Sequence, residues 1–151
     1  MKNILILLTL ILFSCESAFD FDDMGKVDPI LQPYLDKFFE EASMRGVKLP
    51  NKIIKMEIKE LDYGNGHCDW FLKRAYVFID PTKFEGDFYT YNHYMEAVIF
   101  HELGHGLLNR HHMDHPGGIE YSLMSVPQTG RPTWVDGSMR DYYLNELFRL
   151  M

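Results

Sequence analysis

The sequence lacks low-complexity runs, internal repeats and any concentration of basic residues. Its 15 lysines and arginines are outnumbered by 22 aspartates and glutamates, which gives a net charge of −7. Because nucleic-acid-binding proteins present a basic patch or stripe, this balance argues against a nucleic-acid partner. The absence of biased segments, together with 15% aromatic residues, argues against a disordered chain. A length of 151 residues suits one folded domain and is short for two.

The sequence also lacks an apolar run long enough to span a bilayer. The N-terminal run, residues 4–13, is about half the length that a spanning helix requires, and it predicts a signal peptide instead. The stretch Leu12-Phe13-Ser14-Cys15 resembles a bacterial lipobox, which implies that Cys15 is lipidated and becomes the mature N-terminus. The protein would then be an exported lipoprotein of the cell envelope, facing the periplasm or the surface. The predicted divisions are a signal peptide with its cysteine (1–15), a tether (16–27) and a folded domain (28–151).

Cysteine is scarce, since Cys68 is the only one besides Cys15. If Cys15 is lipidated, the mature chain has no second thiol for an intrachain disulfide. The neighbouring His67 invites a role for Cys68 as a metal ligand or a nucleophile, but no second cysteine or suitably spaced histidine supports either. We therefore expect Cys68 to be a lone, partly buried thiol.

Hydrophobic periodicity predicts helices packed on a short sheet. Apolar residues recur at helical spacing through 30–45, after an Asp28-Pro29 helix start and before a Gly46 stop. Residues 53–61 alternate apolar and charged side chains, as a half-buried strand does. The other predicted elements are strands at 69–74 and 75–79, a loop at 84–93, helices at 92–108 and 138–150, and an irregular segment at 110–133. This order indicates the α+β fold class.

The predicted helix at 92–108 carries the pattern His101-Glu102-Leu103-Gly104-His105. His101 and His105 are four residues apart, so both point from one helix face and can bind one Zn²⁺ ion. Glu102 lies beside them and is the natural general base for a metal-activated water. Phe100, Leu103 and Leu107 fall on the opposite side of the helix and predict a buried face.

A third ligand is expected from His111 or His112. The segment resembles the metzincin metallopeptidases, whose motif H-E-x-x-H-x-x-G-x-x-H would make His111 the ligand. The glycine of that motif, which ends the helix with a positive φ, then falls on Leu108, where a leucine is strained. Asn109 tolerates this conformation better, and three residues further lies His112. We therefore favour His112 and keep His111 as the alternative.

A second resemblance covers about residues 75–150. The chain is similar to small bacterial metallopeptidases, often lipoproteins, that read H-E-L-G-H-x-x-L-N/G-R-x-H, in which the last histidine matches His112. The downstream Ser122-Leu123-Met124-Ser125 resembles the methionine turn of metzincins. The resemblance implies a small metzincin-like domain in which Met124 forms an apolar floor beneath a zinc site and does not bind the metal.

The sequence thus predicts a zinc-dependent peptidase with one Zn²⁺ ion, a peptide or protein substrate, a membrane attachment through Cys15 and a monomeric state. Two other hypotheses remain open. Glu146, or less favourably Glu120, would complete a His-His-Glu site in place of the third histidine. Alternatively, the protein is a surface lipoprotein that binds a metal or a partner without turnover, although such a protein has no need of Glu102.

Overall fold

The computed structural model describes residues 25–84, 88–113, 122–125 and 139–149, with the backbone alone for 88–91. The predicted signal peptide and nearly all of the tether lie outside the described residues, as does Glu120. Among the helices of the described ranges, none is long and apolar enough to cross a membrane.

The described part of the chain folds into three helices and a three-stranded sheet. In chain order these are α1 (Gln32–Met44), β1 (Ile53–Ile58), β2 (Gly66–Phe71), β3 (Arg74–Ile79), α2 (Phe88–Leu108) and α3 (Arg140–Leu147), with a 3₁₀ turn (Pro81–Lys83) before α2. The predicted α+β fold class is confirmed.

Helix α1 forms where the apolar periodicity predicts it. Leu35, Phe38 and Ala42, spaced three and four residues apart, are buried on one face. The start is later than predicted, because Asp28 caps a preceding turn: its side chain accepts the backbone N–H of Ile30 at 2.9 Å, and the helix begins only at Gln32. The predicted stop is confirmed, since Gly46 follows the helix with a φ of 69°.

The sheet has the order β1-β3-β2, with β1 parallel and β2 antiparallel to the central β3. The predicted boundary at residue 74 is wrong. Strand β2 begins at Gly66, and the chain turns at Leu72, whose φ is 49°. Tight hairpin turns favour Gly or Asn at positions with a positive φ. Because a leucine occupies this position, the sequence did not predict the turn between β2 and β3.

Helix α2 begins at Phe88, so the prediction of a loop through 84–93 is wrong from residue 88 onward. Tyr, Thr, Asn and His are weak helix formers, which made this segment look irregular. A tertiary contact supports the early turns, because the Tyr34 hydroxyl of α1 donates to Asn92 Oδ1 at 3.1 Å. Helix α3 lies within the predicted range 138–150.

The core lies between the sheet and the helices. Phe38 of α1 packs its ring against Phe100 of α2 and Phe148 after α3, with centroids 5.1 and 5.0 Å apart. Helix α2 also lies very close to the sheet: a Cβ at Gly106 would stand 2.8 Å from Ala75 Cβ. The sheet therefore supports the part of α2 that carries the histidine motif.

Candidate metal centre

Helix α2 presents His101 and His105 on one face and buries its other face in the core. Phe100, Leu103 and Leu107 are at most 3% exposed, as their spacing predicts. The buried face fixes the rotation of the helix about its axis, and so the direction in which both imidazoles point.

His112 joins these two histidines because the chain turns back sharply after α2. Asn109 has a φ of 54°, the left-handed conformation predicted for it, and the Arg110 N–H donates to Gly104 O at 3.0 Å. The turn carries His112 over the helix face. His111 points elsewhere and lies near Trp70, with ring centroids 6.4 Å apart.

The three imidazoles converge on a single point. The Nε2 atoms of His101, His105 and His112 are 3.1 Å apart in every pair. Metal–nitrogen bonds of about 2.0–2.1 Å in tetrahedral geometry place ligand nitrogens roughly 3.3 Å apart. The observed spacing matches that geometry closely, and the three histidines form a cluster that can hold a metal ion.

Backbone carbonyls fix the tautomer of both helix histidines. His101 Nδ1 donates to Leu123 O at 2.7 Å, and His105 Nδ1 donates to Arg110 O at 2.6 Å. Because a carbonyl oxygen only accepts, each Nδ1 carries the ring hydrogen and each Nε2 keeps its lone pair. Both lone pairs therefore face the centre of the cluster, the arrangement that metal-binding histidines adopt.

Burial keeps these rings in the form that binds metal. Burial, the largest cause, lowers the pKa of His101; the Leu123 carbonyl opposes this, the neighbouring His105 and His112 add to it, and the resulting pKa is about 4. Burial also lowers the pKa of His105. Near neutral pH both rings are neutral, and a neutral imidazole is the ligand form.

Glu102 is buried beside the cluster, with 7% of its surface exposed. Loss of hydration raises the pKa of its carboxyl group to about 8. The side chain lies directly against Gly66 of β2, where a Cβ would stand 2.9 Å from both Glu102 Cγ and Oε1. Gly66 therefore leaves the space that the Glu102 side chain occupies, a role that the sequence did not suggest.

Met124 is fully buried beneath α2. A Cβ at Gly104 would stand 2.8 Å from Met124 Sδ, so the sulfur packs on the helix backbone between the two histidine positions. Its neighbour Leu123 supplies the carbonyl that orients His101. The role of Met124 as an apolar floor beneath a zinc ion stays a prediction of the resemblance.

Glu146 lies apart from the histidine cluster. Its carboxylate forms an ion pair with Arg110 and accepts the Ser122 hydroxyl at 2.7 Å. Both oxygens are thus engaged by protein donors, and Glu146 is not among the side chains that converge on the metal position. The His-His-Glu hypothesis through Glu146 has no support in this geometry.

Cys68 is buried, with 4% of its surface exposed, and its thiol is free. Burial, with smaller effects of the nearby acidic groups Glu102 and Asp69, raises its pKa to about 12. Such a thiol is a poor nucleophile and a poor ligand near neutral pH, because the thiolate is the reactive form. Cys68 is thus buried more completely than the partly buried thiol that the sequence predicted.

A cavity of about 520 Å³ opens beside the histidines and Glu102. Apolar and aromatic side chains form much of its lining: Tyr63, Trp70, Phe84, Tyr94, Ala97 and Val98. Trp70 also stacks flat on the His105 ring, with centroids 5.0 Å apart and planes at 7°. The sequence did not predict this contact, because Trp70 of β2 and His105 of α2 are distant in the chain and meet only in the folded structure.

No protein-family model, curated protein or solved structure matches the chain significantly. The resemblance to metzincins therefore remains a prediction from the motif. The α+β fold and a three-histidine cluster that can hold a metal ion are properties of the chain itself.

Proposed function

We propose that this protein is a zinc-dependent peptidase whose ligands are His101, His105 and His112. The convergence of three Nε2 atoms at 3.1 Å spacing, beside a buried carboxyl group, carries the proposal. Three neutral imidazoles and one open position are the donor set of catalytic zinc sites. A site that only stores or binds metal has no use for Glu102 in the same cavity.

A bound zinc ion would supply Lewis acidity, polarising the scissile carbonyl and acidifying a water molecule. Glu102 would accept the proton of that water and return it to the leaving amine. A carboxyl group whose pKa lies near neutrality can both take and release a proton, and burial gives Glu102 that property. Trp70, stacked on His105, would shield the same ligand from bulk water.

The substrate would be a peptide in an extended conformation. Strand β2 lies at the edge of the described sheet and lines the cavity with Gly66, His67, Cys68 and Trp70. Edge strands bind extended peptides by adding a further strand. The apolar lining of the cavity favours a large apolar or aromatic side chain next to the scissile bond.

The test is metal-dependent cleavage of a mixed peptide library. Protein stripped with a chelator should be inactive, and one equivalent of Zn²⁺ should restore cleavage. His111→Ala is the matched control, because His111 neighbours a proposed ligand without joining the cluster and should stay active. If zinc-loaded protein carries one ion but cleaves no peptide, the non-catalytic metal-binding lipoprotein is the better account.

The lipid anchor is a separate proposal and rests on the Leu12-Phe13-Ser14-Cys15 stretch. Acylation of Cys15 would hold the domain at the membrane through the tether 16–27. Cys15→Ala should move the protein from the membrane fraction to the soluble fraction in cells. A variant that stays in the membrane fraction and still carries lipid would refute the assignment.

A further inference from the structure

The carbonyls that orient His101 and His105 belong to two segments that are far apart in the sequence. Arg110 O lies in the turn after α2, and Leu123 O lies in the segment that contains Met124. If the two segments moved independently, the rings would rotate independently as well. The precision of the cluster therefore depends on whatever holds the two segments in a fixed relation.

Glu146 of α3 contacts both segments with one carboxylate. Its Oε1 accepts the guanidinium of Arg110, and its Oε2 accepts the hydroxyl of Ser122 at 2.7 Å. The Ser122 hydroxyl oxygen in turn accepts the Met124 N–H at 3.0 Å, which fixes the turn around Leu123. The Glu146 side chain thus connects Arg110, whose carbonyl orients His105, to Ser122. Ser122 is the neighbour of Leu123, whose carbonyl orients His101.

The position of Glu146 is itself well determined. The Arg110 guanidinium also donates to the carbonyl oxygens of Glu146 at 3.2 Å and of Leu147 at 3.5 Å, near the end of α3. The Arg110 and Glu146 side chains are only 8% and 19% exposed, so water competes weakly for these bonds. Helix α3 is thereby bound to the turn that follows α2.

We propose that Glu146 is a positioning residue for the metal centre. Its carboxylate locks the Arg110 and Ser122 segments together and so fixes the directions in which His105 and His101 present Nε2. The inference rests on the proposed metal site and deepens it. It gives Glu146 a role in ligand orientation in place of the direct ligation considered from the sequence.

The test is Glu146→Gln, which keeps the size of the side chain. The neutral amide loses the charge-assisted bond that the carboxylate accepts from Arg110, so the link to the Arg110 segment weakens, whereas the Ser122 hydroxyl can still bond to the glutamine. Loss of a partner that orients metal ligands typically costs 10- to 100-fold in metal affinity. We expect that loss of Zn²⁺ affinity, measured by chelator competition, and a changed visible absorption spectrum of the Co²⁺-loaded protein.

The matched control is Glu41→Gln. Glu41 is also a glutamate paired with arginine. It is buried, with 5% of its surface exposed, and it pairs with Arg45 and Arg140 away from the histidines. It should lower stability and leave Zn²⁺ affinity and the Co²⁺ spectrum unchanged. If Glu146→Gln does not fold, Ser122→Ala replaces it, with a several-fold loss of affinity expected because one of the two links is removed.

An unchanged affinity and Co²⁺ spectrum in the foldable variant would overturn the proposal. Equal losses in Glu146→Gln and Glu41→Gln would also overturn it, because they would show a general effect of stability. The proposed function is judged separately, by peptide cleavage in the wild type. A wild type that binds zinc without cleavage would refute the peptidase and leave the positioning role intact.

Discussion

Two buried glutamates of this protein have opposite electrostatic surroundings. Glu102 and Glu41 are 7% and 5% exposed, yet the pKa of Glu102 is raised to about 8 and the pKa of Glu41 is lowered. Burial acts to raise the pKa of both carboxyl groups. At Glu41, hydrogen bonds and charges from Arg140 and Arg45 together outweigh it, whereas at Glu102 loss of hydration is the governing cause.

The paired glutamate belongs to a network that joins the helices. Arg140 of α3 contacts Glu41 of α1 at 2.6 Å and Glu96 of α2 at 2.7 Å, and Lys37 also pairs with Glu96. Charge compensation there stabilises the fold. The same helix α2 carries Glu102 in the cavity with the histidines, where no cation of the described residues compensates its charge. Burial of a carboxyl group without a cation is costly and is typical of a group that transfers protons.

The largest expected effect is on turnover, in Glu102→Gln. Glutamine keeps the size of the side chain but cannot accept a proton from water. Peptide cleavage should fall by about 10²- to 10⁴-fold, the usual contribution of a general base, while zinc binding persists. Turnover numbers and metal content of wild type and variant, measured side by side, check this. A variant that cleaves as fast as the wild type would show that Glu102 is not the base.

Removal of the bridging cation should have the next largest effect. Arg140→Ala removes the cation that Glu41 and Glu96 share. Arg45 and Lys37 stay beside these carboxylates, so the cost is that of two charged hydrogen bonds, roughly 3 kcal/mol in total. Urea unfolding measures the loss. Lys37→Ala is the control: the Lys37 side chain is 44% exposed, and its removal should cost less than about 1 kcal/mol. Equal losses of unfolding free energy in Arg140→Ala and Lys37→Ala would show that the bridging Arg140 contributes no more than the exposed Lys37.

Gly66→Ala should disturb Glu102 without a change at the histidines. The added Cβ would stand 2.6 Å from Val98 Cγ1 and 2.9 Å from Glu102 Oε1, so both side chains must move. Displacement of a catalytic group by about 1 Å can cost up to 100-fold in rate. We expect turnover to fall roughly 10- to 100-fold with unchanged zinc content.

A second substitution separates the two clashes at Gly66. In Gly66→Ala/Val98→Ala the contact with Val98 is relieved, but the contact with Glu102 remains. Turnover should therefore stay low in the double variant, while Val98→Ala alone stays close to wild type. Recovery of turnover in the double variant would assign the effect to Val98 instead.

The smallest effect is the pH dependence of stability that Glu41 contributes. Its folded pKa is lower than the ordinary value of 4.5, so its stabilisation is present above pH 4.5 and is lost as the pH falls through the folded pKa. The deficit in unfolding free energy of Glu41→Gln, relative to wild type, should thus shrink in acid. Glu40→Gln, at an exposed neighbouring position, should differ little from wild type at any pH.

Local physics explains which features the sequence predicted. The face of α2, the Gly46 stop and the left-handed Asn109 each follow from residues within a turn or two of one another. The placement of His112 followed from Asn109 for the same reason. These features need no knowledge of distant contacts, so residue spacing and backbone preference were sufficient.

The features that were missed depend on long-range contacts. Gly66 and Trp70 reach the site because strand β2 packs on α2, and Glu146 contacts Arg110 across 36 positions of the sequence. No local pattern distinguishes a glutamate that binds a metal from one that holds an arginine. The turn at Leu72 was missed because its side chain is unusual for the backbone conformation it adopts.

The most direct test of the central claim is the metal content of three purified proteins: wild type, His112→Ala and His111→Ala. The account predicts one zinc ion per chain in the wild type and in His111→Ala, and little zinc in His112→Ala. Because burial lowers the pKa of His101 to about 4 and also lowers the pKa of His105, these two rings should stay available as neutral ligands below pH 6.5. A wild type without bound metal, or loss of zinc on substitution of His111 alone, would contradict the account.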